Sequence, residues 1–479
     1  MQKQKVLGLC IIALVLFNHS EAQDAIGKIV NLKQCVDIAI KNNLQIQQNQ
    51  TQMETSRVNW KQAKDYLLPT LNGQGSYGIN FGRSINPYTN QYIDQQINTG
   101  NYGLNTNLLI FSGLQTQNSI KQYSFAYDAS KMDLQQQKDN ITLGVLLAYL
   151  QVLSNQDLLA ISRAQANVDS QQVVRLEIQN KEGAIAPATL YDLQGQYAND
   201  LVNIVNSVNA LESSKVSLFQ LLNVPYVRDI DFERVPLNIT VSPSQTSSDS
   251  IFQTAVQILP LVKSADLRIK SYQKALQVAK GAYYPSLSFY GSVTTNYSSA
   301  AEVNVPGTIM DQTTDSYILE SGSKNYVISP TEIGASSEKI SFGDQFKNNR
   351  YTQIGLQLSI PIINYFRARN NVKIAKINLQ NSQNIANNTR NQVQQNVELA
   401  YQNLIAAVGQ FKSYQDQVAA YQLSFRAAEI KFNAGAITSV DYVIAKNNFD
   451  RANINYTLSR YNYIFRTKIL DYYQGRLSL

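Results

Sequence analysis

Histidine is almost missing from this chain: His19 stands alone, inside a segment whose pattern marks it for removal. Lys3 and Lys5 precede an apolar run from Val6 to Phe17, and a polar stretch then ends in Ser20-Glu21-Ala22. A basic start, a short apolar core and small residues three and one before a cut make a secretory signal over 1–22, with cleavage expected after Ala22. The apolar run is too short to span a bilayer as a helix. Cleavage removes His19 and Cys10, leaving Gln23 first and Cys35 as the only cysteine. An intramolecular disulfide is then impossible, and histidine metal sites, Ser-His-Asp triads and Cys-His pairs are excluded on inventory. Cys35 falls on a helical pattern and reads as a buried free thiol.

Charge is also scarce, at 16% of residues against about 25% in ordinary domains. Asn, Gln, Ser and Tyr take its place. The net charge of +7 becomes +6 once Lys3, Lys5 and Glu21 are gone. No Lys/Arg cluster is interleaved with aromatics, which argues against nucleic acid. Asp and Glu are scattered over helical faces without a paired site, so no catalytic residue and no cofactor is expected. After the signal no apolar run approaches the roughly 18 residues of a membrane helix. A mature chain that crosses a membrane would therefore do so with strands.

What the chain does have is repetition. Ala63-Lys64-Asp65-Tyr66-Leu67-Leu68-Pro69-Thr70-Leu71 recurs as Ala279-Lys280-Gly281-Ala282-Tyr283-Tyr284-Pro285-Ser286-Leu287. Leu147-Ala148-Tyr149 recurs as Leu399-Ala400-Tyr401, and Gly183-Ala184-Ile185 as Gly435-Ala436-Ile437. The offset grows between these matches and then holds constant, as one insertion within 299–349 requires. Two homologous halves follow, at 23–222 and 251–479, joined by a proline-bearing link over 223–250. Each half reads as helix, strand, loop, strand, long helix, turn, helix.

The strands are expected near 71–81, 101–112, 286–298 and 350–361. Leu71, Tyr77 and Ile79 alternate with Asn72, Gln74 and Ser76. Tyr102, Leu104 and Leu108 alternate with Asn105 and Asn107; Leu287, Phe289 and Val293 alternate with Ser288 and Ser292; Ile354, Leu356 and Leu358 flank Gln357. Period two over about ten residues fits a tilted membrane strand. It fits equally a soluble sheet with one wet face.

The helices decide between these. Val393, Val397, Ala400, Leu404, Ala407, Phe411, Tyr414, Val418, Tyr421, Phe425, Ala428 and Phe432 step by four and three without a break. That is a heptad seam. No proline intervenes from 362 to 432, so a helix of about 65 residues, roughly 100 Å, is expected. The seam resumes at Tyr442, Ala445, Phe449, Ala452, Tyr456 and Tyr463, which folds the long helix back on a shorter antiparallel partner. A soluble coiled-coil interaction protein without a channel is the competing reading. The coupling of each long helix to a strand pair weighs against it.

Four strands cannot close a barrel, and an open edge in lipid leaves unpaired backbone groups costing several kcal/mol each. Two chains supply eight strands, a size whose interior fills with side chains. Three supply twelve, the smallest multiple with room for a lumen. Asn72, Gln74, Ser76, Asn105, Asn107, Ser288, Ser292 and Gln357 are the expected lumen-facing set.

With its duplicated Ala-Lys-(x)4-Pro-x-Leu motif, its glycine-centred helix turns and its strand-pair and long-helix order, the mature chain resembles the TolC family of outer-membrane efflux and secretion channels. The resemblance implies a mainly α fold with a β-barrel contribution. It implies a homotrimer in the Gram-negative outer membrane, with a twelve-stranded barrel continued by a periplasmic α-helical barrel. It further implies an equatorial belt, for which 223–250 and the C-terminal tail are suited, and docking to a periplasmic adaptor and through it to an inner-membrane transporter. Gly183 and Gly435 then fall at the periplasmic tips, near 183–189 and 435–441. Asp441 matches a common acidic position and would form a ring of three carboxylates; the plainer reading is a helix N-terminal acid behind a Thr438 or Ser439 cap. Ile444 stands where some members carry a second Asp. Thr189, with Asp192 nearby, occupies the corresponding place in the first half, so the gate chemistry is only partly preserved.

Overall fold

The computed structural model describes residues 29–85, 90–234 and 247–476. The signal segment lies outside the described residues, as does 235–246 of the link. The chain forms two compact units. Ser56–Tyr127 with Ile269–Ser382 make one, and residues up to Thr55, Asp128–Arg268 and those from Gln383 make the other.

The first of these units is built on a sheet of four long strands: β2 (Thr70–Asn80), β5 (Ile97–Ser112), β7 (Ser286–Ser298) and β12 (Tyr351–Ser359). Their order is β12-β7-β5-β2, antiparallel throughout, so β2 and β12 are its two edges. The register sorts the alternation onto two faces. Asn72 lies opposite Asn105, Asn105 opposite Ser292, and Ser292 opposite Gln353. Leu71, Thr106, Gly291 and Ile354 form an adjoining row on the other face. A bulge at Ile110 interrupts the pairing, because Leu109 faces Ser288 while Phe111 faces Leu287. Simple alternation put Ile110 on the apolar face; the bulge gives that row to Phe111 instead.

The junction from β5 into the following helix is tight. Gly113 has φ +62°, and a Cβ there would sit 2.4 Å from the Gly281 carbonyl oxygen. The partner is backbone and cannot swing aside. Gly113→Ala is expected to lose about 1–3 kcal/mol and to lower the yield of folded protein, read by heat-resistance of the membrane-extracted chain. Unchanged yield and heat-resistance would mean that the junction relaxes freely.

Among the described residues, the segments joining the strands hold more regular structure than their polar composition implies. Within 82–100, β3 (Arg83–Ile85) pairs with β4 (Tyr92–Asp94). Residues 299–349, read from sequence as a loop, hold β8 (Glu302–Val305), β9 (Thr308–Glu320), β10 (Ser323–Ile333), β11 (Ser336–Lys339) and the short helix α7 (Phe342–Asn348). β9 pairs with β10, and β8 with β11. β-Branched and aromatic residues such as Ile309, Thr313, Tyr317 and Ile328 favour this ribbon. α7 is pinned to β7 through buried Gln345, whose Nε2 donates to the Ser298 and Ile340 carbonyls while its Oε1 accepts from the Ser298 N–H, each at 2.9 Å.

Long helices dominate the chain. α3 (Gln115–Lys181) and α8 (Arg367–Asn433) have 67 residues each; α4 (Pro187–Leu222) and α9 (Ser439–Tyr473) return from them. The shorter helices α1 (Leu32–Asn42) and α2 (Leu44–Asp65), and likewise α5 (Ser248–Ile258) and α6 (Pro260–Gly281), are each broken where continuous helices were expected. The breaks fall at Asn43 and Leu259, which are equivalent in the repeat. Asn43 turns its side chain to accept from the N–H groups of Gln45 and Ile46, capping the next helix. Leu259 precedes a proline and is pushed to extended backbone.

In the helical unit the core gathers Val145, Leu146, Tyr149, Val152, Leu218 and Leu222, all nearly sealed. Cys35 lies in the same cluster, and burial pushes its thiol up to about 12. It therefore stays protonated and unreactive. β1 (Ile29–Val30) pairs in parallel with β6 (Asp231–Phe232), and Tyr149 anchors both. Its hydroxyl lies 2.7 Å from the Glu233 carbonyl and 3.1 Å from that of Val30. The α8 seam is buried from Val393 to Phe411 and only half-buried from Tyr414 onward.

Candidate functional site

The helix turns carry the residues that sequence reasoning singled out. Gly183 and Gly435 adopt φ +70° and +71°. Behind each, the next N–H reaches back to close the helix end: Ala184 donates to the Gln179 carbonyl and Ala436 to that of Lys431, both at 2.8 Å. This six-residue closure requires a left-handed residue, and glycine takes that conformation without a Cβ clash. Pro187 then opens α4.

Thr438 caps α9. Its Oγ1 accepts from the Asp441 N–H at 3.2 Å, while the Asp441 carboxylate accepts from the Thr438 N–H at 3.2 Å and from its hydroxyl at 2.7 Å. The Thr438 hydroxyl first, then its N–H, holds the Asp441 carboxyl below its ordinary range, so the exposed group is ionised. Ile444, one turn on, is also exposed. Across the turn, Ser439 donates to Asp192 at 2.8 Å and Arg175 donates to the Asn433 side chain at 2.6 Å. Gln196 donates to Asn447 at 3.1 Å. Thr189 borders the same polar cleft of about 440 Å³ with Gln172, Gly435 and Thr438. The structure thus brings Gly183's hairpin and Gly435's hairpin together through Asp192, while Asp441 lies free of that contact.

A deeper cluster was not read from the sequence. Lys446 is 1% exposed, and its Nζ meets Asp450 at 2.6 Å, Asp169 at 3.1 Å and Asp200 at 3.3 Å. One cation thus joins α3, α4 and α9. Asp169 is fully buried and neither of its carboxylate oxygens has a hydrogen bond of good geometry among the described residues. Burial pushes its carboxyl up to about 7, opposed by Lys446 and assisted by the neighbouring Asp200. Burial also raises Asp450. Tyr442, stacked on Phe432 at 4.7 Å, closes the cluster toward the turn. Lys446 sits one turn beyond Tyr442, and Asp450 is four residues further on. A lysine inside a seam of aromatics, with an acid at i+4, was the signal available.

Three copies are not needed to see the character of the sheet. The eight polar residues expected at a lumen (Asn72, Gln74, Ser76, Asn105, Asn107, Ser288, Ser292 and Gln357) share one face in this register. The opposite face exposes Leu71 at 73%, Ile354 at 70% and Leu356 at 64%. Such a contiguous apolar surface is not left to water. A two-faced, open-edged sheet in one unit and long helical hairpins in the other define the class: a mixed chain with a membrane-type strand sheet and coiled-coil helices.

Residues 35–224 and 251–468 match the family described as outer membrane efflux protein. The chain belongs to that family. It is 21% identical over 459 residues to the outer membrane protein TolC of Escherichia coli (strain K12), covering 91% of this chain and 80% of that one. It is 22% identical over 450 residues to TolC of Vibrio cholerae serotype O1, covering 94% and 91%. Among solved structures, CusC superposes with a TM-score of 0.72 at 17% identity, covering 95% of each chain. The Campylobacter jejuni CmeC outer membrane channel gives 0.69 at 16%, covering 96% and 91%. The protein is thus an outer-membrane efflux channel component of a Gram-negative cell, with its helices in the periplasm. The reading as a secreted coiled-coil protein without a channel falls.

Proposed function

We propose that three copies close a twelve-stranded barrel whose polar face lines a water-filled lumen, giving substrates passive passage to the exterior with no covalent chemistry. The observation that carries this is the sheet itself: two open edges, one polar face and one apolar face, in a chain seated in the outer membrane. Pairing β12 of one copy with β2 of the next satisfies the edge groups that lipid cannot. The half-buried stretch of the α8 seam is then available to neighbouring copies in a helical tube. Residues 23–222 and 251–479 act as the two repeats, and the link 223–250 with the C-terminal tail forms an equatorial belt. A periplasmic adaptor engages the hairpin tips and couples them to an inner-membrane transporter, in a tripartite arrangement. Drugs, metal ions, amphiphiles and secreted polypeptides all suit a polar lumen.

At the tip, Gly183, Thr189, Asp192, Gly435, Thr438, Asp441 and Ile444 form the gate region. Opening is a shift between two helix packings, biased by the adaptor. Three exposed Asp441 carboxylates would meet around the axis and bind divalent cations. Asp441→Asn removes this charge and keeps an acceptor for the Thr438 cap. The expected result in planar bilayers is higher conductance with loss of divalent block. Unchanged conductance and unchanged block would reduce Asp441 to a helix cap.

A further inference from the structure

The apolar face of the sheet carries a built groove of about 530 Å³ that neither the lumen nor the tip uses. Its floor is open because Gly73 and Gly75 on β2 have no side chains there. Leu104 and Val293 give it an apolar bed. Tyr102 and Phe346 wall it, their rings 5.9 Å apart, and Phe342 of α7 packs on both Tyr102 and Tyr297. Arg350 completes the lining; it is exposed and has no ion pair or hydrogen-bond partner among the described residues. Lys347, also exposed, follows Phe346 on α7. Over 339–350 the cations Lys339, Lys347 and Arg350 face one acid, Asp344, whose carboxylate already accepts from the Ser341 hydroxyl at 2.6 Å.

The position along the sheet is informative. α2 leads into β2, α3 leaves β5, α6 leads into β7 and α8 follows β12, so the helix connections are all made at one end of the antiparallel sheet. α7 and Arg350 lie toward the other end, which is the exterior end of a chain whose helices are periplasmic. An aromatic cluster there, with cations beside it, matches the boundary between hydrocarbon and headgroups. Lys and Arg at that level keep their charge in the polar layer while their stems lie along apolar surface.

We infer that this groove binds a net-anionic lipid of the outer leaflet whose phosphate is not neutralised within its own headgroup, an acyl chain lying over Gly73 and Gly75 and the phosphate held by Arg350 and Lys347. A guanidinium suits a phosphate through paired N–H donors. An uncharged lipid would fill the apolar bed and leave Arg350 without a counter-ion. Edge pairing of β2 with another copy extends the sheet in its own plane and leaves this face open to lipid. The inference rests on the membrane seat of the sheet, and a membrane-fractionation control tests that seat separately.

The test is native mass spectrometry of the detergent-extracted full chain titrated with diphosphorylated lipid A, dephosphorylated lipid A or phosphatidylcholine. Two variants attack different parts of the site. Arg350→Ala/Lys347→Ala removes the charge. Gly75→Leu fills the floor, where an added Cβ meets only the Tyr102 ring at 3.4 Å. The expected result is retention of diphosphorylated lipid A about tenfold over the other two lipids, with each variant losing most of that preference, a change of about 1.4 kcal/mol. Inorganic phosphate should not displace it. Equal retention of all three lipids, or full retention by both variants, overturns the proposal. So does displacement by inorganic phosphate, which would make this a bare anion site.

Discussion

Lys446→Met is expected to loosen the helical hairpins strongly. The substitution leaves Asp169, Asp200 and Asp450 facing one another in a buried space with no cation. Removing one partner of a buried ion pair costs about 3–5 kcal/mol, because the remaining charge is uncompensated. Denaturant unfolding of the helix signal in detergent should show that loss. Restoring balance with Lys446→Met/Asp200→Asn should recover part of it, since contacting residues couple. A single variant as stable as the parent would show that the cluster is already neutralised by protons.

The same cluster gives a pH dependence with a definite sign. Asp169 has its folded-state carboxyl raised to about 7 by burial. A raised value means that the native chain holds the proton more tightly than the unfolded one. The contribution is therefore fully present below the unfolded value near 4 and is lost as pH rises to about 7. Hairpin stability should fall over that window, and Asp169→Asn should flatten the profile. Asp450 is raised in the same direction by burial and leaves a residual slope of the same sign. A profile of unaltered steepness in Asp169→Asn would assign the titration elsewhere.

Tyr149→Ala is the second large effect. Tyr149 is 0% exposed, packs edge-on against Phe232 at 5.5 Å, and reaches the Val30 and Glu233 carbonyls, which lie together at one end of the parallel β1–β6 pair. Truncating a buried aromatic costs about 3–5 kcal/mol. Here the loss should be local, because β1 and β6 have only two residues each and Tyr149 bonds to the carbonyls at their shared end. Hydrogen exchange at Val30 and Phe232 should rise steeply, while exchange in β5 and β7 stays slow. Tyr149→Phe keeps the packing and loses only the hydroxyl, whose single proton serves one carbonyl at a time. Its effect should be a fraction of that of Tyr149→Ala. Equal protection in Tyr149→Ala and the parent would remove Tyr149 as the anchor.

These effects show where sequence reasoning reached and where it stopped. The two faces of the sheet could be read because Asn72, Asn105 and Ser292 keep strict alternation, and alternation survives any register that keeps parity. The bulge at Ile110 could not, since one extra residue leaves no mark in an apolar run from Leu108 to Phe111. The break at Leu259 was visible in the proline after it, and Asn43 was its less obvious counterpart. Residues 299–349 read as a loop because Gly, Ser and Asn interrupt the Ile, Thr and Tyr that favour the β9–β10 ribbon. Lys446 is not legible as a buried cation, because a lone lysine in a helical pattern is ordinarily solvated. Asp169 and Asp200, its partners, are far from it in the chain and meet only when two hairpins pack. The left-handed turns at Gly183 and Gly435 were readable, because a glycine just past a long periodic run has few other uses.

The most direct measurement of the whole account is the symmetry of single particles of the detergent-extracted protein seen by electron microscopy. Threefold particles, with the polar strand faces turned inward around a common axis, are the predicted result. Monodisperse single copies whose sheet edges resist hydrogen exchange would contradict it.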